Sequence, residues 1–290
     1  MNSSAGTSFF FAGERIADFQ LIRPLRIREL SECWYAARLN TGAPVAVKFL
    51  RKENPGISRF YDIAEFLQKQ ESPFLIHVFE YAETNSGMPY AVMEYAACGS
   101  LRRWLGKHGP LPLAGAVYLL RGMLQALAVL HSHGIVHRDI KPDNIWLMSD
   151  GCIRLGDLGL AKLPDCKEEP GKVFGTASYM SPEQALDSTR VDSRSDLYSL
   201  ALVLTEALTG KRCRSLNNFA ETVKNILADR SVPPIAHLRE AATEKLAVLL
   251  NRMREYNPAL RPRNAAVILD ELETMALPEN ETFFKEILSV

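Results

Sequence analysis

A short segment near the middle of the chain gathers side chains suited to acid–base and divalent-cation chemistry. Residues 137–144 include Asp139, Lys141 and Asn144, and Asp157 follows 18 residues after Asp139. A carboxylate can accept a proton, and a lysine can neutralise developing negative charge. The oxygens of Asn144 and Asp157 are of the kind that magnesium prefers. A lone aspartate or lysine in a loop is usually only solvated, so the hypothesis of a reaction centre depends on the whole set.

The elements around this segment predict two parts with different secondary structure. In the first third, apolar alternation and turn composition predict strands at residues 33–39, 43–50, 76–81 and 90–95, with one helix at residues 58–70. Beyond residue 99 we predict a strand pair at residues 145–148 and 152–155, and helices at residues 113–133, 195–209, 219–229, 243–255 and 265–275. A strand-rich part before a helix-rich part predicts an α+β fold with two lobes, joined near residues 96–99.

Charge is balanced both overall and locally. The 290 residues include 34 basic and 34 acidic side chains, of which 10 and 11 lie before position 96. Neutrality is therefore not a basic half cancelling an acidic half. Proteins that bind nucleic acid or a membrane surface usually show a basic face, so we expect neither kind of partner. Enzymes and binding modules both remain possible, and the sequence carries no signal for an oligomeric state.

Cysteine usage and the two ends of the chain bear on its setting. The 5 cysteines are scattered and include no pair at C-x-x-C spacing, so we expect reduced thiols in a cytoplasmic setting. No run of 18 uninterrupted apolar residues occurs, so we predict no membrane-spanning helix. Residues 1–13 lack the basic and apolar stretches of a signal peptide and are predicted to be a flexible leader. Residues 278–290 are predicted to be a C-terminal tail.

The order and spacing of the motifs resemble those of protein kinases. Residues 137–144 and 157–159 match the catalytic and magnesium loops of that family, residues 45–48 match its third-strand lysine motif, and residues 181–183 stand at its A-P-E motif. The sequences of residues 175–185 and 193–200 most resemble those of bacterial-type serine/threonine kinases. The resemblance covers about residues 14–277. It implies a small antiparallel β-sheet lobe with one helix at residues 14–95 and a larger, mainly helical lobe at residues 96–277.

The resemblance implies a reaction, the ATP- and Mg2+-dependent transfer of the γ-phosphoryl group to a serine or threonine of a protein substrate. In this reaction Asp139 would orient the acceptor hydroxyl and accept its proton, and Lys141 would neutralise the transferred group. Lys48 would hold the α- and β-phosphates as a point charge. Asn144 and Asp157 would bind magnesium.

The same resemblance implies an adenine pocket. The residues implied to contact the nucleotide there are Cys33, Ala46, Met93, Glu94, Ala96 and Trp146. Met93 would line the back of the pocket, and Glu94 and Ala96 would offer backbone groups to adenine. Trp146 would form the floor, where the family commonly has a smaller leucine, and a flat aromatic floor remains compatible with ATP.

Other residues are implied to support the site. His137 would pack and form hydrogen bonds, and Asp196 would anchor the backbone of the catalytic loop. Glu183 would form a buried ion pair with Arg261. Thr176, together with the lysine of the catalytic loop, favours serine or threonine over tyrosine as the acceptor.

One departure from the family pattern concerns the phosphate loop. Its three glycine positions fall on Arg26, Arg28 and Ser31, none of which is glycine. Glycine lets backbone N–H groups approach phosphates closely. Arg26 and Arg28 could instead reach phosphates with their side chains, or point to solvent.

A second departure concerns the partner of Lys48. The glutamate that usually pairs with this lysine falls on Ile63. Asp62 and Glu65 are close in sequence but lie on other faces of the predicted helix, because each residue turns a helix by about 100°. Lys48 would then lack its usual ion pair.

The segment after Asp157 offers no site for the usual activating phosphorylation. Residues 160–174 contain no serine or threonine, and Arg138 would ordinarily pair with such a phosphate. Asp165, Glu168 and Glu169 could supply permanent negative charge, or could form a solvated acidic turn.

Three functions stay open at this point. A serine/threonine kinase, with low activity, follows from the complete set of catalytic and metal-binding positions. A pseudokinase acting as a nucleotide-binding or scaffold module follows from the glycine-free loop and from Ile63. A kinase-fold transferase with a non-protein acceptor is the third, although residues 181–183 and the full helical lobe favour a protein acceptor.

Overall fold

The computed structural model describes residues 8–164, 166, 170–214, 218–228, 243–278 and 283–284. The chain divides into two units, Met1–Ala97 and Cys98–Val290. This division falls two residues beyond the boundary that the sequence suggested.

Unit 1, Met1–Ala97, is built on one antiparallel sheet. Its strands are β1 (Arg15–Ile16), β2 (Phe19–Arg28), β3 (Ser31–Arg38), β4 (Pro44–Leu50), β5 (Val78–Glu83) and β6 (Pro89–Glu94). They lie in the order β1-β2-β3-β4-β6-β5, and every neighbouring pair is antiparallel. Helix α1 (Ile57–Lys69) packs against β5. The expected strands and helix are confirmed with slightly shifted ends, whereas β1 and β2 were not predicted.

Strand β2 was not predicted because its alternation of polar and apolar residues is interrupted. It contains Pro24, and its pairing with β3 shifts register at two places. Each bulge moves the following side chains to the opposite face, so the polar–apolar alternation that identifies a strand is interrupted.

The core of unit 1 gathers alternate side chains of four strands, because successive strand residues point to opposite faces of the sheet. The buried members on these strands are Phe19, Leu21, Trp34, Ala36, Val45, Val47, Phe49, Tyr90 and Val92. β-Branched and aromatic residues dominate this set, and these are the types that pack well on a pleated surface.

The segment before β1 belongs to this core, which corrects the prediction of a flexible leader for residues 8–11. Phe10 is 7% exposed, and its ring centroid lies 4.3 Å from that of Phe49. Glu32, buried on β3, accepts hydrogen bonds from Ser8 Oγ at 2.8 Å and from the Phe9 amide at 2.7 Å. A buried ring and a buried carboxylate that needs donors therefore hold these residues on the sheet. Residues 1–7 lie outside the described residues.

We expect Phe10→Ala to lower the free energy of unfolding by about 3 kcal/mol, because it removes a buried aromatic ring from the sheet core. Phe11→Ala is the matched control, since Phe11 is 67% exposed and its truncation should cost less than about 0.5 kcal/mol. Urea unfolding followed by circular dichroism measures both variants. Equal effects would contradict the docked arrangement of this segment.

Unit 2, Cys98–Val290, is mainly helical. Its described helices are α2 (Leu101–His108), α3 (Leu113–Ser132), α4 (Pro182–Leu186), α5 (Ser193–Thr209), α6 (Phe219–Leu227), α7 (Glu244–Met253) and α8 (Ala265–Thr274). Strand β7 (Ile145–Leu147) pairs with β8 (Ile153–Leu155). The strand pair and five expected helices are confirmed with slightly shifted ends, although residue 229 lies outside the described residues. Helices α2 and α4 were not predicted. The α+β fold expected from the sequence is confirmed.

Helix α3 is long and apolar enough to cross a membrane by composition, with a mean hydropathy of 1.7. Within the described residues, however, 67% of its most apolar window is buried inside the protein. It packs against α5, α8 and β8. Burial on several sides explains why this helix is apolar around most of its circumference, as expected for the central helix of a core.

Candidate active site

The backbone of residues 137–144 is held by one buried carboxylate. Asp196, in the first turn of α5, accepts hydrogen bonds from the amides of His137 at 2.8 Å and Arg138 at 2.9 Å. His131, near the end of α3, donates from Nε2 to the same carboxylate at 2.8 Å. Burial acts to raise the pKa of Asp196, but the hydrogen bond and charge of His131 hold this pKa below its ordinary value. The anchoring role expected for Asp196 is confirmed.

His137 is fully buried and bridges two parts of the site. Its Nδ1 accepts a hydrogen bond from the Asp139 amide at 3.2 Å, so Nε2 carries the proton that is donated to the Gly156 carbonyl at 3.1 Å. The ring therefore connects the loop that carries Asp139 to the residue before Asp157. Because both ring nitrogens form hydrogen bonds with backbone groups, the structural role expected for His137 is confirmed.

Asp139, Lys141 and Thr176 form a hydrogen-bonded triangle. The Lys141 Nζ lies 2.6 Å from Asp139 Oδ2 and 2.7 Å from Thr176 Oγ1. The Thr176 hydroxyl donates to Asp139 Oδ1 at 2.8 Å. Asp139 is only 8% exposed, so the adjacent ammonium compensates its charge more than bulk water does. The triangle fixes the direction of both carboxylate oxygens.

Asn144 presents an oxygen suited to a hard cation. Its Nδ2 donates to the Asp139 carbonyl at 2.9 Å and to Asp139 Oδ2 at 3.1 Å. Its Oδ1 is buried and has no hydrogen-bond partner among the residues that the structure describes. A buried oxygen without a partner is costly unless a ligand completes its bonding. Magnesium, which prefers oxygen ligands, fits this atom.

Asp157 is brought towards Asn144 by the backbone between them. The Gly156 amide donates to the Asn144 carbonyl at 3.0 Å, and Asp157 then adopts a left-handed conformation with φ 57° and ψ 61°. Few residues other than glycine adopt this region, although aspartate tolerates it better than most. Such conformations occur often at functional sites, and this one introduces the 3₁₀ turn Leu158–Leu160.

Arg138 is 1% exposed and binds one backbone carbonyl at the start of residues 160–174, the segment without serine or threonine, and another beyond its end. Its Nε donates to the Leu160 carbonyl at 2.6 Å, and one terminal nitrogen donates to the Ser188 carbonyl at 3.1 Å. Its guanidinium also lies over the Phe174 ring, 5.3 Å from the centroid. Carbonyl dipoles and an aromatic face thus stabilise its charge. The acidic positions 165, 168 and 169 considered in the sequence analysis lie outside the described residues.

Arg102, on α2, is a residue that the sequence analysis missed. Its guanidinium lies 2.6 Å from Glu206 Oε1 and 3.4 Å from Asp143 Oδ2, and it also donates to the Tyr179 hydroxyl. Burial and the charge of Glu206 raise the pKa of Tyr179, so this phenol stays protonated and donates to Glu206 at 2.5 Å. A single arginine in a short helix carries no motif, and its three partners come from distant segments.

Asp143 and Tyr179 lie close in sequence to the triangle. Asp143 follows Asp139 by four positions, and Tyr179 follows Thr176 by three. Arg102 therefore ties together the two loops from which the triangle is built.

In unit 1, the sheet register groups several of the residues implied to contact the nucleotide. Cys33 on β3 lies opposite both Lys48 on β4 and Arg26 on β2. Ala46 on β4 lies opposite Met93 on β6. Glu94 ends β6, and Ala96 follows it. The remaining predicted site residues, Asp139, Lys141, Asn144, Trp146 and Asp157, belong to unit 2.

The phosphate-loop positions form a short hairpin between β2 and β3. Arg28 lies opposite Ser31, so only two residues make the turn. The Leu30 carbonyl at this turn accepts hydrogen bonds from the Arg51 amide at 3.1 Å and from Asn54 Nδ2 at 3.0 Å. The side chains of Arg26 and Arg28 are both exposed. The hairpin is therefore fixed at its tip and presents side chains where the family presents glycine.

Ile63 lies on the buried face of α1, together with Ala64 and Leu67. Asp62 and Glu65 are exposed, and Glu65 pairs with Lys69 one helical turn further on. The prediction that neither acidic residue shares the face of Ile63 is confirmed.

Comparison with known proteins identifies the family. The protein kinase domain matches residues 29–271, so the chain belongs to the protein kinase family. It is 34% identical over 254 residues to the serine/threonine-protein kinase PknB of Mycolicibacterium smegmatis. This alignment covers 84% of this chain and 40% of that protein. It is 32% identical over 246 residues to the serine/threonine-protein kinase PknL of Mycobacterium tuberculosis, which covers 81% of this chain and 61% of that protein.

The chain thus spans between two fifths and three fifths of the length of these curated relatives. Its two-lobed α+β kinase fold and its kinship with bacterial serine/threonine kinases, both expected from the sequence, are confirmed.

Proposed function

We propose that this chain transfers the γ-phosphoryl group of ATP, with magnesium, to a serine or threonine of a protein substrate. The observation that carries the proposal is the triangle of Asp139, Lys141 and Thr176 beside the buried, unsatisfied Oδ1 of Asn144. A positioned carboxylate, an adjacent cation and a metal ligand are the groups that phosphoryl transfer asks of a protein. The names of the bacterial relatives support the acceptor class.

Each member of the triangle has a separate task in this mechanism. Asp139 orients the acceptor hydroxyl and accepts its proton. Thr176 holds one oxygen of that carboxylate, so the base keeps its direction. Lys141, already 2.6 Å from the other oxygen, neutralises charge on the group in transfer.

Asn144 and Asp157 would hold magnesium through their side-chain oxygens. When bound, the metal supplies positive charge against the phosphate oxygens. Lys48 holds the α- and β-phosphates. The residues proposed to contact the rest of the nucleotide are Cys33, Ala46, Met93, Glu94, Ala96 and Trp146.

We propose further that the activity is low. The β2–β3 hairpin has no glycine to bring amides close to the phosphates. If this loss costs about 2–3 kcal/mol in the transition state, the rate falls by about 30–160-fold. Weak catalysis remains under this estimate.

Incubation of the chain with a generic protein, magnesium and ATP labelled at the γ-phosphate tests the proposal. We expect slow labelling of serine and threonine, abolished by EDTA. Label that enters protein only from the α-phosphate would show nucleotide transfer instead. Label that enters only small molecules would show a non-protein acceptor.

The glycine-free hairpin and the buried Ile63 also favour a second candidate, a pseudokinase that works as a nucleotide-binding or scaffold module. The two functions separate by a thermal-shift measurement combined with the labelling assay. Stabilisation by ATP and magnesium with no labelling above background would support the nucleotide-binding module. The cytoplasmic setting indicated by cysteine spacing stays a prediction.

We expect a variant with both Arg26→Ala and Arg28→Ala to lose no more than about 30-fold in ATP affinity, because each exposed ion pair contributes at most about 1 kcal/mol and the two together at most about 2 kcal/mol. Titration calorimetry measures the change, with Lys48→Met as the comparison that should lose more. A loss above about 30-fold would mean that the two arginines replace the glycines in holding phosphate.

A further inference from the structure

Phe283 and Phe284 occupy an aromatic cradle, which we define as Trp104 on α2 with Gly115 and Tyr118 on α3. Phe284 is fully buried and Phe283 is 8% exposed. The Phe284 ring centroid lies 5.9 Å from that of Trp104 and 6.2 Å from that of Tyr118. The Phe283 centroid lies 6.2 Å from Trp104 and 5.1 Å from Phe284. These spacings and tilted orientations are those of favourable aromatic pairs.

Gly115 makes room for this contact. A Cβ atom at Gly115 would lie 2.7 Å from two ring carbons of Phe283, closer than packed atoms allow. Glycine within a helix costs up to about 0.8–1 kcal/mol relative to alanine, so a glycine in the first turn of α3 calls for a reason. Gly106 on α2 has no atom within 4 Å of the corresponding position and offers no comparable contact.

Helix α2 connects the cradle to the site. Trp104 faces the two phenylalanines, while Arg102 bonds to Asp143, Tyr179 and Glu206. Two residues apart on a helix, these side chains leave it about 200° apart and so on nearly opposite faces. A helix of 8 residues held on one face by the aromatic rings is therefore positioned on the other face against the loops of the triangle.

We propose that the aromatic cradle is an intramolecular binding site for the Phe283–Phe284 pair, and that occupancy of this site positions Arg102 beside the loops that receive the acceptor. The first half is independent of any activity, whereas the second half rests on the proposed function. Phe283 and Phe284 are thus positioning residues, acting through α2 on acceptor binding.

The first experiment is a cycle of unfolding measurements on the full chain. Replacement of both phenylalanines by alanine should lower the melting temperature by about 10–15 °C, because two buried rings are lost. Gly115→Ala should lower it in the parent chain but raise it slightly in the doubly substituted chain, where no ring obstructs the new methyl group and only helix propensity acts. Gly106→Ala is the control and should have the same small effect in both chains.

A change of equal sign for Gly115→Ala in the two chains would overturn the binding site. A synthetic peptide of residues 278–290, added to the doubly substituted chain, should recover most of the lost melting temperature. The same peptide with alanine at both phenylalanine positions should recover none. Recovery by both peptides, or by neither, would also count against the site.

The second experiment measures phosphoryl transfer by the doubly substituted chain at a temperature where it is folded. The KM for the protein acceptor should rise about three- to tenfold while the KM for ATP stays constant, and the peptide should reverse the change. A merely structural effect would change the KM for ATP as well as the KM for the acceptor, or would lower only the concentration of active protein. An unchanged KM for the protein acceptor would overturn the positioning role. The binding site itself would then be tested by the unfolding measurements alone. No transfer by the parent chain would instead count against the proposed function.

Discussion

Asp139→Asn is expected to lower the rate constant for phosphoryl transfer by about 10²–10⁴-fold, the usual contribution of a positioned base. Asparagine has nearly the same shape as aspartate, so its side-chain oxygen can still accept the hydrogen bond that the Thr176 hydroxyl donates. It cannot accept the proton of a substrate hydroxyl, and it leaves the Lys141 ammonium without the carboxylate that now lies 2.6 Å away. The loss should therefore appear in the chemical step.

Single-turnover labelling with saturating nucleotide measures this step directly. Asp150→Asn is the control, since Asp150 is an exposed aspartate in the turn before β8 that bonds to the Cys152 amide and to Arg154. We expect the control to react at the parent rate. The KM for ATP should change little in either variant, because other residues are proposed to hold the nucleotide. Equal residual labelling by the parent and by Asp139→Asn would mean that the transfer belongs to a contaminant or to another base.

The catalytic loop could be predicted from sequence because its residues are close together along the chain. Asp139, Lys141 and Asn144 lie within one loop, and short spacing constrains their arrangement in space whatever the surrounding fold. Helix α3 was also predictable, because its mainly apolar stretch extends over 20 residues and is therefore too long for an ordinary strand. Local order and periodicity, together with the resemblance to protein kinases, therefore account for most of the correct predictions.

Contacts between distant segments could not be predicted in the same way. Arg102 meets Glu206 across 104 positions, and no pattern in α2 marks that arginine as different from its neighbours. The docking of Phe10 depends on Glu32, a buried carboxylate that composition alone would place at the surface. In both cases the decisive quantity is burial, which a single sequence does not specify for isolated residues.

Glu183→Gln is expected to lower the free energy of unfolding by about 3 kcal/mol at neutral pH, because it leaves the buried Arg261 guanidinium without its compensating charge. Arg261 is fully buried, and its two terminal nitrogens lie 2.7 and 2.8 Å from the two oxygens of Glu183. Its remaining donors go to backbone carbonyls, including that of Glu255 at 2.7 Å. The expectation of a structural pair between these two residues is confirmed, and the pair joins the start of α4 to the turn before α8.

The pH dependence of this variant distinguishes the buried pair from an ordinary surface contact. Burial acts to raise the pKa of Glu183, but hydrogen bonds and charge from Arg261 hold it below its ordinary value of 4.5. A carboxyl with a depressed pKa in the folded state contributes stability that is present above its unfolded pKa and is lost as pH falls through its folded pKa. The stability gap between the parent chain and Glu183→Gln should therefore be full at pH 7 and narrow steadily below about pH 4.5.

Glu273→Gln is the matched control, because it removes a surface ion pair between Glu273, 71% exposed, and Arg121. That change should cost less than about 1 kcal/mol at every pH. Denaturant unfolding at a series of pH values measures both variants. A gap for Glu183→Gln that stays constant down to pH 3 would show that the lost stability comes from packing and not from charge. A gap that widens in acid would mean that the folded pKa is raised, and the ion pair would then be ruled out as the source of stability.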